Sequence, residues 1–216
     1  MKILILGITG RTGSLVAEEA IKRGHTVVGI ARDQSKVTVK DAEIFTGTPY
    51  NFDIVRKAVT DCDAVISTLS NFPRSEGLFG KIKSPLDSMS VSIKNAVRAM
   101  KEKGIKRIVV MTALGVGDSA KEIPAFFSFI IRISNIKHAY VDHDLQEKAL
   151  ENSNLDWTVV RPVGLTDKNN NLSILYNLKG VGKIKPQISR NAVAHFMLDC
   201  IEESKFIKQK PGISNE

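Results

Sequence analysis

Seven residues near the N-terminus have the types and spacing to hold a phosphate: Gly7-Ile8-Thr9-Gly10-Arg11-Thr12-Gly13. An apolar run, residues 2–6, precedes them, and a helical stripe of Leu15, Val16, Ala20 and Ile21 follows. The segment therefore links a strand to a helix. Gly7 permits a tight exit from the strand, Gly10 lets a pyrophosphate approach the backbone, and Gly13 lets the helix pack on the sheet. Backbone N–H groups from Thr9 to Thr12 and the positive helix end then face the phosphates. A glycine turn is weak evidence alone; its place between strand and helix gives it weight.

The end of the second apolar run decides which dinucleotide such a turn would serve. An acidic residue there, about 20 residues past the glycines, binds a ribose 2′-hydroxyl and selects NAD. Here Val27-Val28-Gly29-Ile30-Ala31 is followed by Arg32, with Asp33 next and Lys36 four residues beyond Arg32. A guanidinium fork suits a 2′-phosphate. NADP(H) is the expected cofactor, with Asp33 as the feature that favours NAD. The two cysteines, Cys62 and Cys200, are far apart and lack C-x-x-C or paired histidine spacing, so reduced thiols in a cytoplasm are expected and a metal site is not.

The elements that must position these residues alternate strictly. Apolar, β-branched runs at 2–6, 26–31, 43–46, 63–67, 106–112 and 157–161 read as buried strands. Between them lie stripes such as Phe52, Val55 and Val59, then Met89, Ile93, Ala96, Val97 and Met100, and last Val193, Phe196, Met197, Cys200 and Ile201. Gly24 and Gly104 mark helix stops. Six strands alternating with helices predict a single α/β domain over residues 1–216: a doubly wound, Rossmann-type parallel sheet with helices on both faces. Segments 71–88, 113–137 and 162–188 leave the carboxyl ends of strands, where open α/β sheets bind ligands, and are expected to form the substrate side. Within the second, Pro124 to Ile136 is greasy, and suits either a helix over the pocket mouth or a partner surface.

Composition bounds the rest. Mean hydropathy is near zero, and the longest near-apolar stretch, Ile123 to Ile133, is too short to span a bilayer. The chain enters a strand at once, so no signal peptide is expected. A net charge of +8 favours anionic ligands. No aromatic–basic stacking motif accompanies it, which argues against nucleic acid as partner.

The G-x-x-G-x-x-G spacing, with Thr9-Gly10-Arg11-Thr12-Gly13 inside it, resembles the short-chain dehydrogenase/reductase superfamily. Further motifs are Ala31-Arg32-Asp33, Asp63-Ala64-Val65-Ile66 leading to Leu69-Ser70-Asn71, Lys94 to Lys101, Asp142-His143, Leu155 to Pro162, and His195 to Leu198. On these the chain is identified as a member of the atypical, NmrA-like NAD(P)-binding group, most similar to its flavin and biliverdin reductase-like branch. The resemblance implies that Leu69, Ser70 and Asn71 pass beside the cofactor's ribose and pyrophosphate. It also implies that Thr112 and Ala113 lie beneath the nicotinamide, and that Arg161, Pro162 and Val163 flank its carboxamide.

Departures from the family bear on chemistry. The superfamily's alcohol dehydrogenases use a Tyr-x-x-x-Lys pair whose lysine lowers the tyrosine pKa. Counting back from Trp157 puts Ala139 and His143 at those positions, while Tyr140 has Asp144 four residues on. The serine and histidine of the biliverdin-reducing branch correspond to Ala113 and Gly164. Thr112 is the candidate hydrogen-bond donor and His143 the candidate proton shuttle. An NADPH-dependent reductase of a small planar, apolar hydride acceptor such as a flavin or quinone is expected. The alternative is a non-catalytic NADP(H)-binding redox sensor.

Overall fold

The computed structural model describes residues 1–71, 80, 84–168 and 172–216. Its main sheet has eight strands in the order β3-β2-β1-β4-β5-β6-β10-β8. The first six are β1 (Lys2–Leu6), β2 (Thr26–Ala31), β3 (Ala42–Thr46), β4 (Ala64–Ser67), β5 (Arg107–Met111) and β6 (Asp156–Pro162), all mutually parallel. These match the six apolar runs read from the sequence. Two strands were not expected: β10 (Gly212–Asn215) pairs parallel with β6, and β8 (Ile174–Asn177) pairs antiparallel with β10. The sheet is thus mostly rather than wholly parallel. A small parallel pair, β7 (Gly164–Thr166) with β9 (Gln187–Ser189), stands apart from it.

Helices cover both faces because β1 and its neighbours alternate their side chains between two apolar layers. Ile3 and Ile5 pack with α1 (Arg11–Lys22) and α6 (Arg190–Glu202), through Val16, Ala20, Val193 and Met197. Leu4 and Leu6 pack with α2 (Phe52–Ala58), α3 (Ser88–Lys103) and α5 (Ile136–Glu151), through Val55, Ile93, Met100 and Leu150. These four of the five β1 side chains are fully buried; each contributes roughly 1.5–3 kcal/mol relative to exposure.

Strand order reverses between β1 and β4, since β2 lies on one side of β1 and β4 on the other. The turns after these two strands therefore diverge and leave a crevice at the sheet's carboxyl edge. The greasy segment forms α4 (Ala125–Ile133), where only Ile131 is buried and Phe126, Phe129 and Ile133 are exposed. Among the described residues no helix is long and apolar enough to cross a membrane. The expected substrate-side loops 71–88 and 162–188 lie in part outside the described residues.

Candidate functional site

The crevice is a cleft of about 960 Å³. Gly7, Thr9, Gly10, Arg11 and Thr12 form its floor, Arg32 and Lys36 reach it from beyond β2, and Leu69, Ser70 and Asn71 reach it from beyond β4. Gly13 is placed differently: it is buried beneath the turn. A β-carbon there would lie 2.1 Å from the Gly7 carbonyl oxygen, so only glycine lets α1 start this close to β1. Gly7 itself has φ +90°, a left-handed conformation that side chains disfavour. The Gly10 N–H donates to the Gly7 carbonyl at 2.8 Å, which closes the turn.

Gly10 occupies the N-cap of α1 and has no side chain to cap it, and the first helical turn holds no acidic residue. Helix ends carry orphan N–H donors and partial positive charge. This end keeps both directed at the cleft, so the cradle fits a pyrophosphate.

At the end of β2 the two charged neighbours part company. Asp33 caps a short 3₁₀ turn (Gln34–Lys36): its Oδ1 accepts from the Ser35 N–H at 3.0 Å and from the Ser35 hydroxyl at 2.6 Å. Those bonds, with Lys36 Nζ 3.6 Å from Oδ2, hold the Asp33 carboxyl below its ordinary pKa. Arg32 and Lys36 are exposed and line the cleft, whereas Asp33 does not.

One wall is fixed by a buried carboxylate from α5. Asp142 accepts from the backbone N–H groups of Met89 and Ser90, both at 2.9 Å, and so caps α3 from outside. It also accepts from Asn71 Nδ2 at 3.2 Å, while Asn71 Oδ1 accepts from the hydroxyls of Ser84 and Ser88, each at 2.9 Å. Asn71 is thereby held in one orientation at the cleft edge.

The carboxyl ends of β5 and β6 are arranged otherwise. Thr112 is buried, and its hydroxyl donates to Glu147 Oε1 at 2.9 Å. Glu147 also accepts from Arg161 Nε at 3.0 Å and lies 3.2 Å from Lys210 Nζ, while Arg161 pairs in addition with Asp118. Ala113 is half-buried, Pro162 is buried and Val163 packs on the core. None of these four predicted residues lines the cleft; Met111 and Leu165 do. His143 is buried with its Nδ1 2.8 Å from Gln146 Nε2, and burial pushes its imidazole down to about 4. It is neutral at pH 7 and does not line the cleft. Tyr140 donates to the Leu114 carbonyl at 3.2 Å, and burial pushes its phenol up to about 12.

Both cysteines are buried free thiols, raised by burial to about 11 at Cys62 and about 12 at Cys200. Among the described residues no cluster could hold a metal. A second depression of about 660 Å³ lies between α3 and α5, walled by Lys94, Arg98 and Lys148, and no predicted site residue lines it. Sequence reasoning quoted Asp142 only within the Asp142-His143 motif, without a role, and missed Arg190, which lines the cleft; the partners of Asp142 lie 52 to 71 residues away, so no local spacing signals its role.

A doubly wound sheet with an open, glycine-capped helix end at its switch point defines a dinucleotide-binding Rossmann protein. The chain belongs to the NAD(P)H-binding family, which matches residues 7–204. It is 25% identical over 227 residues to divinyl chlorophyllide a 8-vinyl-reductase of Cucumis sativus, covering 96% of this chain and 51% of that one. It thus spans about half the length of that relative. Against the photosystem II assembly factor Ycf39 of Synechocystis it is 28% identical, over 76% of this chain and 45% of that one. Among solved structures, the anaerobilin reductase ChuY of Escherichia coli O157:H7 superimposes with a TM-score of 0.81 at 20% identity, covering 100% of this chain and 97% of that one. A short-chain dehydrogenase/reductase of Veillonella parvula in complex with NADP gives 0.78 at 19% identity, covering 99% and 94%. What these structures share with the chain is the Rossmann-type fold.

Proposed function

We propose that this protein is an NADPH-dependent reductase that passes hydride to a planar, apolar acceptor such as a flavin or a quinone. The observation behind the reading is the division of labour after β2: Asp33 is bonded into its own turn, and of the charged residues in that turn Arg32 and Lys36 line the cleft. Arg32 presents a fork to a 2′-phosphate and Lys36 adds a point charge. The glycine turn and the open end of α1 hold the pyrophosphate, and Asn71, locked by Asp142, edges the cleft beside them. Bound NADPH supplies the hydride.

The acceptor class is supported by the described polar groups after β5 and β6. Tyr140, His143 and Thr112 spend their polar atoms on internal partners. A substrate that needs a protein acid or base gains nothing from them, whereas an acceptor that takes its proton from water needs none. Two of the similar proteins are named as reductases, which agrees with this direction of transfer.

Fluorescence titration should give NADPH at least about tenfold tighter binding than NADH, or about 1.4 kcal/mol. NADPH oxidation should be measurable with at least one of a panel of flavins, quinones and tetrapyrroles, and simple alcohols should not be oxidised with NADP⁺. Equal affinities would sink the cofactor choice. Tight NADPH binding without turnover on any acceptor would favour the sensor reading.

A further inference from the structure

Two arginines from different helices meet at one carboxylate on the cleft. Arg11 is the first residue of α1 and Arg190 the first of α6, and these helices pack together on one face of the sheet. Arg11 Nη1 donates to Asp167 Oδ2 at 3.2 Å, and Arg190 Nη1 donates to Asp167 Oδ1 at 2.6 Å. Both arginines line the cleft; Asp167, in the segment after β7, does not. Their exposure differs. Arg190 is 7% exposed, so its guanidinium is confined, while the Asp167 side chain is 58% exposed and free to turn to water.

We propose that Arg11 and Arg190 form a two-arginine anion subsite of the cleft, that Asp167 is its built-in counter-ion, and that the dinucleotide pyrophosphate replaces Asp167 there. This rests on the dinucleotide reading of the cleft. A guanidinium donates to carboxylate and phosphate oxygens alike, so the carboxylate now bonded to one Nη1 of each arginine marks where an anionic ligand oxygen is welcome. Arg11 belongs to the glycine turn itself, which places the pyrophosphate rather than the 2′-phosphate in its reach. The exposed carboxylate is weakly held and is resolvated on leaving, and the ligand brings more charge than it removes. Asp167 therefore competes with the cofactor and sets how tightly it is held. Arg190, which no local motif signals, becomes a cofactor-binding residue.

The test is fluorescence titration of the full chain and its variants with NADPH, and with adenosine 2′-monophosphate, which offers a 2′-phosphate but no pyrophosphate. Asp167→Asn should tighten NADPH about three- to tenfold and leave adenosine 2′-monophosphate unchanged. Arg190→Gln should weaken NADPH by a similar factor or more, and Asp167→Asn should add little in that background. Unchanged or weaker NADPH binding by Asp167→Asn would overturn the subsite. So would an equal gain for both ligands, which would mark a general charge effect. Because Asp167 is exposed, that variant keeps the test decisive even where Arg190→Gln misfolds. Failure of the unsubstituted chain to bind NADPH is a distinct result: it would remove the dinucleotide reading and the subsite with it.

Discussion

The two ends of the sheet's carboxyl edge use polar groups in opposite ways. After β1 and β2, the glycine turn, Arg32 and Lys36 direct backbone donors and positive charge outward into the cleft. After β5 and β6, Thr112, His143, Tyr140, Glu147 and Arg161 are buried or part-buried and turned on one another or on nearby backbone. The first arrangement leaves binding capacity for a ligand; the second consumes it in stabilising the fold. Among the described residues, then, the first region is equipped to hold a dinucleotide, whereas Thr112, His143 and Tyr140 are committed to internal partners.

The largest expected effect tests whether the second region is structural. Glu147 is 1% exposed and answers Arg161, Lys210 and Thr112 at once. Removing one partner of a buried pair typically costs 3–5 kcal/mol. Glu147→Ala should destabilise the protein by about 3 kcal/mol in urea denaturation, the lower end because Asp118 still pairs with Arg161. A loss under about 0.5 kcal/mol would show that the cluster is not holding the β5–α5–β6 junction.

A smaller effect follows from His143. Its folded-state pKa of about 4 lies below its ordinary 6.5, so the unfolded chain takes up a proton first as the pH falls. The stability it confers is intact above the ordinary value and is lost on acidification toward the depressed one. About 2 kcal/mol should disappear between pH 7 and pH 5, and His143→Gln should remove that part of the pH dependence. An unaltered slope in the variant would mean that the imidazole is not buried neutral.

The outward-facing region is sharpened by Arg32→Ala, which should shrink the NADPH-over-NADH preference by about 1 kcal/mol in paired titrations. A preference that survives intact would move the 2′-phosphate to other residues.

These regions also differ in how far the sequence discloses them. That the turn and Arg32 line one cleft was legible because both stand at the carboxyl ends of adjacent, contiguous apolar runs. The six parallel strands were legible because residues buried on both faces read as unbroken apolar runs. β8 and β10 were not: each is four residues long, and Gly212-Ile213-Ser214-Asn215 becomes a strand through pairing with Tyr176 and Pro162, far along the chain. The same holds for Arg190, which lines the cleft from α6, and for Asp142, which supports its wall from α5. The expectation that Thr112, Ala113, Pro162 and Val163 lie against the nicotinamide came from family resemblance. In the structure Met111 and Leu165 line the cleft where those residues were looked for.

On the proposed function, the cleft binds NADPH and hydride leaves it without help from a titrating side chain. Pre-steady-state oxidation of bound NADPH by a quinone, followed from pH 6 to pH 9 in the unsubstituted protein and in Tyr140→Phe, tests it most directly. The rate constant should be flat within about twofold across that range, and the variant should stay within a few-fold of the parent. A sigmoidal or bell-shaped profile, abolished in Tyr140→Phe while NADPH affinity is intact, would contradict it and make Tyr140 the catalytic acid.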